Sequence, residues 1–557
     1  MPRQTQTAEE IRNNLFKHLG WHTAHRDDTK VAQAIHRGEE LDAVFGLEEV
    51  GLLDEFWHFL KLVGVFPLLE AIRIPAIERV LIPVVMFILL YFLLVLLSIE
   101  SMHALPPLLF TNTAAMTLLG FNAYQIANGF TKRGDALRKN KKKQGPLTAQ
   151  CLAQNICKLL PRQMEALLNG VVRKLAAFGI FAKEVSVVID GSKLETTEKF
   201  KGRGCLRLER RVKEKGTGRL VTIEVFLFGW KVIVLMDIRT RIPLAAKVVK
   251  IQEYEGAYLL PLLRQAQANL GEYARIVKVV ADRIYLDGED LWELDQMGII
   301  FVVIAKEGMA VREDALALAK LRPEAQLEGL SPNVAERKTV VRHGHGSKQT
   351  TEERVTRVIG VEGLTTYDQY GTAEHTRQRN RKDFQGNPIN AVVVELWENE
   401  PSGRVYLTNG SVEHPLEAFD DYDDRSIIEN GLWREANQAW DFEHYPQRNE
   451  AGVVVHVFFT LVVMALATAY RLWKEREKKA PEEPFAAPLL KGQGARAWRR
   501  ELKAENRNKV IVFVQKYYGI FHVAEFSVLA GLRIKAMGIP PELGTPADIL
   551  ARYELSP

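Results

Sequence analysis

The chain has 557 residues, of which 47% are hydrophobic and 26% charged, so it is globular, with length for three or four domains. Its net charge of +5 is too small to demand a nucleic-acid partner; the distribution of the cations matters more than their sum. Its cysteines, Cys151, Cys157 and Cys205, lack zinc spacing and exclude a disulfide framework, which fits a reducing, intracellular setting.

In chain order, Met1–His25 is polar and mixed in charge, unlike a cleavable signal peptide. Residues 1–145 read as helical. Asp54–Leu69 is amphipathic, and Leu81–Leu97 is almost wholly apolar. The latter is at the short end for a bilayer span and has neither an aromatic belt nor a one-sided basic flank. It reads as a helix buried all round, with a membrane anchor as the competing reading. Residues 112–132 have the pattern of a helix-turn-helix, broken at Gly120, with Asn122 able to cap the second helix. An ordinary pair of helices fits as well. The basic run that follows includes Lys139, Lys141, Lys142 and Lys143. Behind such a motif these are candidates for DNA phosphate contacts; a solvated face is the plain alternative. Gln144-Gly145-Pro146 marks a boundary.

Thr148–Phe181 returns to helix and leads into Val185–Ile189, a β-branched apolar run that predicts a buried strand ending on Asp190. Lys199–Arg219 is a second basic stretch, containing Arg210 and Arg211. It could hold an anionic polymer over the site or be a solvated hairpin. Strands are expected at 221–228, 231–238 and 244–251, separated by Gly229 and by the Arg239–Pro243 turn. A helix over 256–270 precedes a second buried strand, Ile276–Ala281, which also ends on a carboxylate, Asp282. A helix over 286–297 and a strand over 299–305 complete an α/β fold with a mixed sheet, antiparallel strands leading into a parallel part. Residues 307–415 read as an inserted, mostly β subdomain. His343 and His345 are too sparse for a metal site.

Asp420-Asp421-Tyr422-Asp423-Asp424-Arg425-Ser426-Ile427-Ile428-Glu429 predicts a helix starting at the aspartates, which favour an N-terminus. Tyr422, Arg425 and Glu429 then share one face. Two strand-end carboxylates and one helical carboxylate are a donor set for two hard divalent ions, Mg²⁺ above all. Such ions serve in-line displacement at phosphorus without a nucleophilic Ser or Cys.

These blocks resemble the DDE transposases of bacterial insertion sequences, in particular the cut-and-paste group with a β-rich insertion before the catalytic Glu. The resemblance lies in VVIDGS at Asp190, VVADRIYLDGEDLWEL at Asp282, and YDDRSIIENGLWRE, which matches a Tyr-x₂-Arg-x₃-Glu signature through Tyr422, Arg425 and Glu429. It implies a ribonuclease-H-like core over 146–306 and 416–473, with the insertion at 307–415 and a helical DNA-binding domain before it. It further implies Asp190, Asp282 and Glu429 as catalytic metal ligands for two Mg²⁺ ions, with Mn²⁺ able to substitute. The expected partners are double-stranded DNA (the element's terminal repeats and the target) and a second copy of the chain once DNA is bound, with no membrane. The expected location is cytoplasmic and nucleoid-associated. Tyr422 and Arg425 would contact DNA, and Trp397 and Tyr406 are aromatics that could stack on an extruded base or simply fill the core. One departure stands out: Ala436 occupies the position where the family usually carries Lys. That leaves open a DNA-binding derivative with impaired catalysis. Lys474–Glu483 reads as a linker, and 485–557 as a small helical tail domain.

Overall fold

The computed structural model describes residues 24–46, 53–75, 82–99, 101–110, 113–121, 125–126, 147–213, 220–326, 333–343, 350–395, 403–478, 508–532 and 539–556. Two compact units result: residues 1–167, 436–466 and 488–557 form the first, and residues 168–435 and 467–487 the second.

In the first unit both ends of the chain meet in one small sheet. Strands β1 (His25–Arg26) and β2 (Ala43–Gly46) flank the C-terminal hairpin β13 (Lys509–Val514) and β14 (Tyr517–His522), in the order β1-β14-β13-β2. Gln515 makes the hairpin turn with a positive φ of 53°. Val31 and Ile35 of helix Asp28–His36 pack with Phe521, Leu529 and Ile549 in its core. The tail is therefore not the wholly helical domain expected: the β-branched run Lys509–Val514 pairs as a strand. The helix-turn-helix reading of residues 112–132 and the run Lys139–Lys143 lie mostly or wholly outside the described residues; Thr113–Leu118 is helical and Gly120 follows with φ 97°.

The apolar run near residue 90 is helix Val84–Leu96, buried from Met86 to Leu96. It packs against a long helix, Glu450–Lys478, whose segment 450–466 belongs to this unit. Of the two, only that second helix is long and apolar enough to cross a membrane, and 89% of its most apolar window is buried inside the protein. The two are joined by a polar contact: the Tyr91 hydroxyl and His456 Nδ1 are 2.8 Å apart, and His456 Nε2 lies 3.0 Å from the Asp441 carbonyl. Because a carbonyl only accepts, Nε2 carries the proton and Nδ1 accepts from Tyr91. Burial lowers the His456 pKa to about 4.

The second unit is built on a ten-stranded sheet. Its centre is β3 (Glu184–Thr196), flanked by antiparallel β5 (Leu220–Asp237) and parallel β7 (Arg275–Ala281), with β8 (Ile300–Ile304) parallel beyond β7. On the far edge of β5 lie β6 (Pro243–Lys250) and β4 (Gly204–Lys213). First strand in the middle, two antiparallel strands to one side and two parallel strands to the other is the ribonuclease-H-like arrangement. The expected break at Gly229 does not occur. β5 is one strand, and Gly229, at φ 144°, is where its partner changes from β4 to β6. A Cβ there would overlap the Leu194 carbonyl, so only glycine lets the strands close.

The 307–415 segment continues the same sheet. Helix Ala310–Gln326 is followed by β9 (Val334–His343), β10 (Thr350–Leu364), β11 (Ile389–Glu395) and β12 (Arg404–Thr408), and β12 pairs with β8. His345 and Trp397 lie outside the described residues. Tyr406 is buried.

Neutral His456 ties the first unit's stability to pH. Its folded pKa is below the unfolded value of about 6.5, so its contribution is complete above that value and is lost as pH falls towards 4. Urea midpoints should fall through this window, by up to about 3 kcal/mol of stability. In His456→Leu this part of the pH dependence should vanish. Tyr91→Phe, which leaves Nδ1 without its donor, should cost about 1–3 kcal/mol at neutral pH.

Candidate active site

The second unit's sheet brings Asp190 and Asp282 together. β3 and β7 are parallel with Ile189 opposite Ala281, so the two aspartates follow side by side on adjacent strands, on the order of 5 Å apart along the backbone. Asp190 does not end its strand, as the sequence suggested: β3 runs on to Thr196, and Asp190 marks where its parallel partner stops. Asp282 caps the short 3₁₀ turn Arg283–Tyr285, its Oδ1 accepting from the Arg283 N–H at 2.8 Å.

The third carboxylate arrives from a differently built helix than expected. The helix starts at Pro415, not at the aspartate run, and ends at Asp423. The aspartates serve as docking points. Asp420 pairs with Arg337 of β9, and Asp421 with Lys278 of β7 at 2.6 Å. Leu416, Phe419 and Tyr422 pack on the sheet beside Val302, Val392 and Tyr406. The Tyr422 ring stacks on Tyr406 at 4.3 Å between centroids, which makes Tyr406 part of the packing that sets Tyr422. After a turn, residues Ile428–Trp433 form a single stretch of π-helix carrying Glu429. Such bulges re-aim side chains and concentrate at functional sites.

Arg425 is the common neighbour. Its Nη1 lies 3.0 Å from Glu429 Oε1, and its guanidinium is 5.9 Å from the Tyr422 ring. Burial works to lower its pKa, but Tyr422, Asp282, Glu429 and Asp190 outweigh this and hold it up. The shared face predicted for Tyr422, Arg425 and Glu429 is therefore present, although no single regular helix spans them. The Tyr422 hydroxyl points at Asp282 Oδ1 at 3.5 Å, the outer limit of a hydrogen bond. Among the described residues, no three His, Cys, Asp or Glu side chains are gathered tightly enough to hold a metal ion; the three acids surround Arg425 rather than one another.

Asp190 has the most perturbed environment of the three. Burial pushes its carboxyl up to about 6, with Glu429 adding to the rise; the Trp433 indole, the Gly191 N–H and Arg425 oppose it. Trp433 Nε1 donates to Asp190 Oδ2 at 3.0 Å. Sequence reasoning missed Trp433. The signal was available, four residues after Glu429 and so one turn along the same helix. Ala436 is fully buried.

The basic stretch lies elsewhere. Arg210 and Arg211 sit on β4, opposite Ile223 and Thr222, whereas Asp190 is opposite Val234 of the same β5. That is about 11 residues along the strand, on the order of 35 Å. The ribbon is a surface feature, with Arg211, Leu220 and Phe226 exposed, and it does not cover the carboxylates.

A desolvated Asp190 opposes folding once ionised. Its folded pKa lies above the unfolded value, so this group's contribution is complete at low pH and is lost as pH rises through about 6. Without added metal, Asp190→Asn should be more stable than the parent at pH 7.5, by about 1 kcal/mol. Thermal melting of the two proteins at pH 7.5 and at pH 4.5, where the gap should close, checks this.

Comparison with known proteins bears on the same region. No curated protein sequence matches the chain. One solved structure, a piggyBac transposase synaptic complex with hairpin DNA determined by cryo-electron microscopy, aligns with a TM-score of 0.33 and 10% identity, over 86% of this chain and 80% of that one. A family model described as the transposase DDE domain matches residues 182–466, more than half of the 557 residues, and takes in β3, β7 and the Glu429 segment. The chain belongs to the DDE transposase family.

Proposed function

We propose that this protein cuts DNA at the ends of a mobile element and joins the freed ends to a target, with Asp190, Asp282 and Glu429 as the catalytic carboxylates. The observation that supports the reading is the in-register pairing of β3 and β7, which sets Asp190 beside Asp282, with Arg425 paired to Glu429 and Trp433 bonded to Asp190. A DNA-binding derivative that has lost catalysis is the alternative, since Ala436 stands where the family carries Lys.

The residues fit divalent ions. All the donors are carboxylate oxygens, which suit Mg²⁺, and Asp190 carries a desolvation cost that a nearby cation would relieve. Asp190 and Asp282 would hold such ions, with Glu429 closing the set once Arg425 gives it up. Bound there, they would activate the attacking oxygen and stabilise the leaving one. The chain's own residues do the rest. Arg425, already surrounded by acids, would be free to contact a DNA phosphate if ions took over its role as their counter-charge. Tyr422, clamped against Tyr406, sets the angle from which the backbone approaches Asp282. Trp433 fixes one oxygen of Asp190 and leaves the other for the ion. Lys139, Lys141, Lys142 and Lys143 contact DNA phosphates, and Arg210 and Arg211 do so from their ribbon; a second copy of the chain joins once DNA is bound.

Asp190→Ala, Asp282→Ala and Glu429→Ala should each abolish Mg²⁺-dependent cleavage of DNA carrying the element's ends, with DNA affinity changed less than threefold. Gel-shift and cleavage assays on the same substrate check this; native-rate cleavage by Glu429→Ala would remove that residue from the site. Replacing Lys139, Lys141, Lys142 and Lys143 by Gln should weaken DNA binding and flatten the log–log salt dependence of the binding constant, by up to about 0.9 for each phosphate that the variant no longer neutralises.

A further inference from the structure

Two turns enclose the back of the site, and each leaves a buried polar atom with nothing to bond. The 3₁₀ turn Glu255–Tyr258 follows β6 and packs on the turn Arg283–Tyr285 that Asp282 caps. The Tyr254 hydroxyl donates to the Ile284 carbonyl at 2.6 Å. Gly256 leaves no room for a side chain, since a Cβ there would come within 2.6 Å of the Tyr254 ring and 2.7 Å of the Ile284 carbonyl. This close approach drives the Glu255 carboxylate against the backbone of Gly191, next to Asp190; a Cβ on Gly191 would overlap Glu255 Oε2. That oxygen is buried without a hydrogen-bond partner, and so is the Tyr285 hydroxyl, on a side chain with no exposed surface. Lys231 Nζ, a cation within reach of Glu255, donates instead to the Glu253 carbonyl at 3.0 Å.

We propose that Glu255 and Tyr285 form an inner wall of the cation site, with Glu255 accepting a hydrogen bond from a water of the divalent ion held by Asp190 and Asp282. The inference rests on the carboxylate assignment made under Proposed function. Burial and the charges of Glu255, Asp190 and Asp282 all keep the Tyr285 proton in place, so the phenol is a permanent donor facing acids. Mg²⁺ keeps several of its waters when bound by few protein ligands. A hydrated ion therefore supplies what both orphan atoms lack: its bound waters are donors for Oε2, and the waters hydrogen-bonded around them offer an acceptor for the phenol. Glu255 is a positioning residue here, acting through water rather than touching the ion.

Mn²⁺ titration of the full-length protein, read by electron paramagnetic resonance of the free ion, tests this without any turnover. Glu255→Gln, which keeps the shape and removes the charge, should weaken Mn²⁺ affinity by about tenfold, in the range typical of outer-shell partners. The Mg²⁺ concentration for half-maximal cleavage should rise by the same factor. Tyr285→Phe should weaken Mn²⁺ binding several-fold and carries the measurement if Glu255→Gln fails to fold. A parental titration for Glu255→Gln and Tyr285→Phe, beside an abolished site in Asp190→Ala, overturns the inner wall alone. A parental titration for Asp190→Ala overturns the carboxylate assignment and the wall together.

Discussion

Two aspartates on neighbouring parallel strands are held side by side by the sheet, and burial makes one of them, Asp190, costly to ionise. Every ladder bond between β3 and β7 helps to fix that separation, and the backbone cannot relax it without losing register. The rest of the site answers this buried charge. Arg425 supplies a counter-charge, Trp433 donates to one carboxylate, and the π-helix brings Glu429 to the same guanidinium. Such an arrangement stores unfavourable electrostatics that a bound cation can release. It is built so that the resting charge balance is provisional.

The scaffolding around this pair is sturdier than the pair itself. The helix Pro415–Asp423 is pinned by two ion pairs, one to β9 and one to β7, and by the Tyr406–Tyr422 stack. The strands of the 307–415 segment extend the sheet from β8, so the helix that leads to Glu429 rests on a continuous hydrogen-bonded surface. Errors in placing Glu429 are thereby limited to the short turn and π-helix after Asp423. Catalytic geometry tolerates only small displacements, and rigid elements are the means of holding it.

Much of this was legible in the sequence. The β-branched runs before Asp190 and Asp282 predict their strands, and the 3-4-7 spacing of Tyr422, Arg425 and Glu429 predicts their common neighbourhood. What escaped has identifiable causes. Gly229 looks like a break because composition cannot tell a turn from a strand that changes partner. The Asp420–Asp424 run looks like a helix cap because its cross-strand partners, Arg337 and Lys278, are remote in the chain. The hairpin at Lys509–His522 was masked by basic helical-looking flanks and has its outer partners near residue 25 and residue 45. Trp433 offered only its spacing of four from Glu429, and Glu255 gave no motif at all, since its importance comes from what the fold sets beside it.

That small terminal sheet has a consequence for biogenesis. Helix Asp28–His36 is translated well before its packing surface, which is encoded almost five hundred codons later. Translating that distance takes on the order of a minute at bacterial rates of about 5–20 residues per second. The earlier segment waits that long for the strands and helices it packs against, and losing either segment removes the same module.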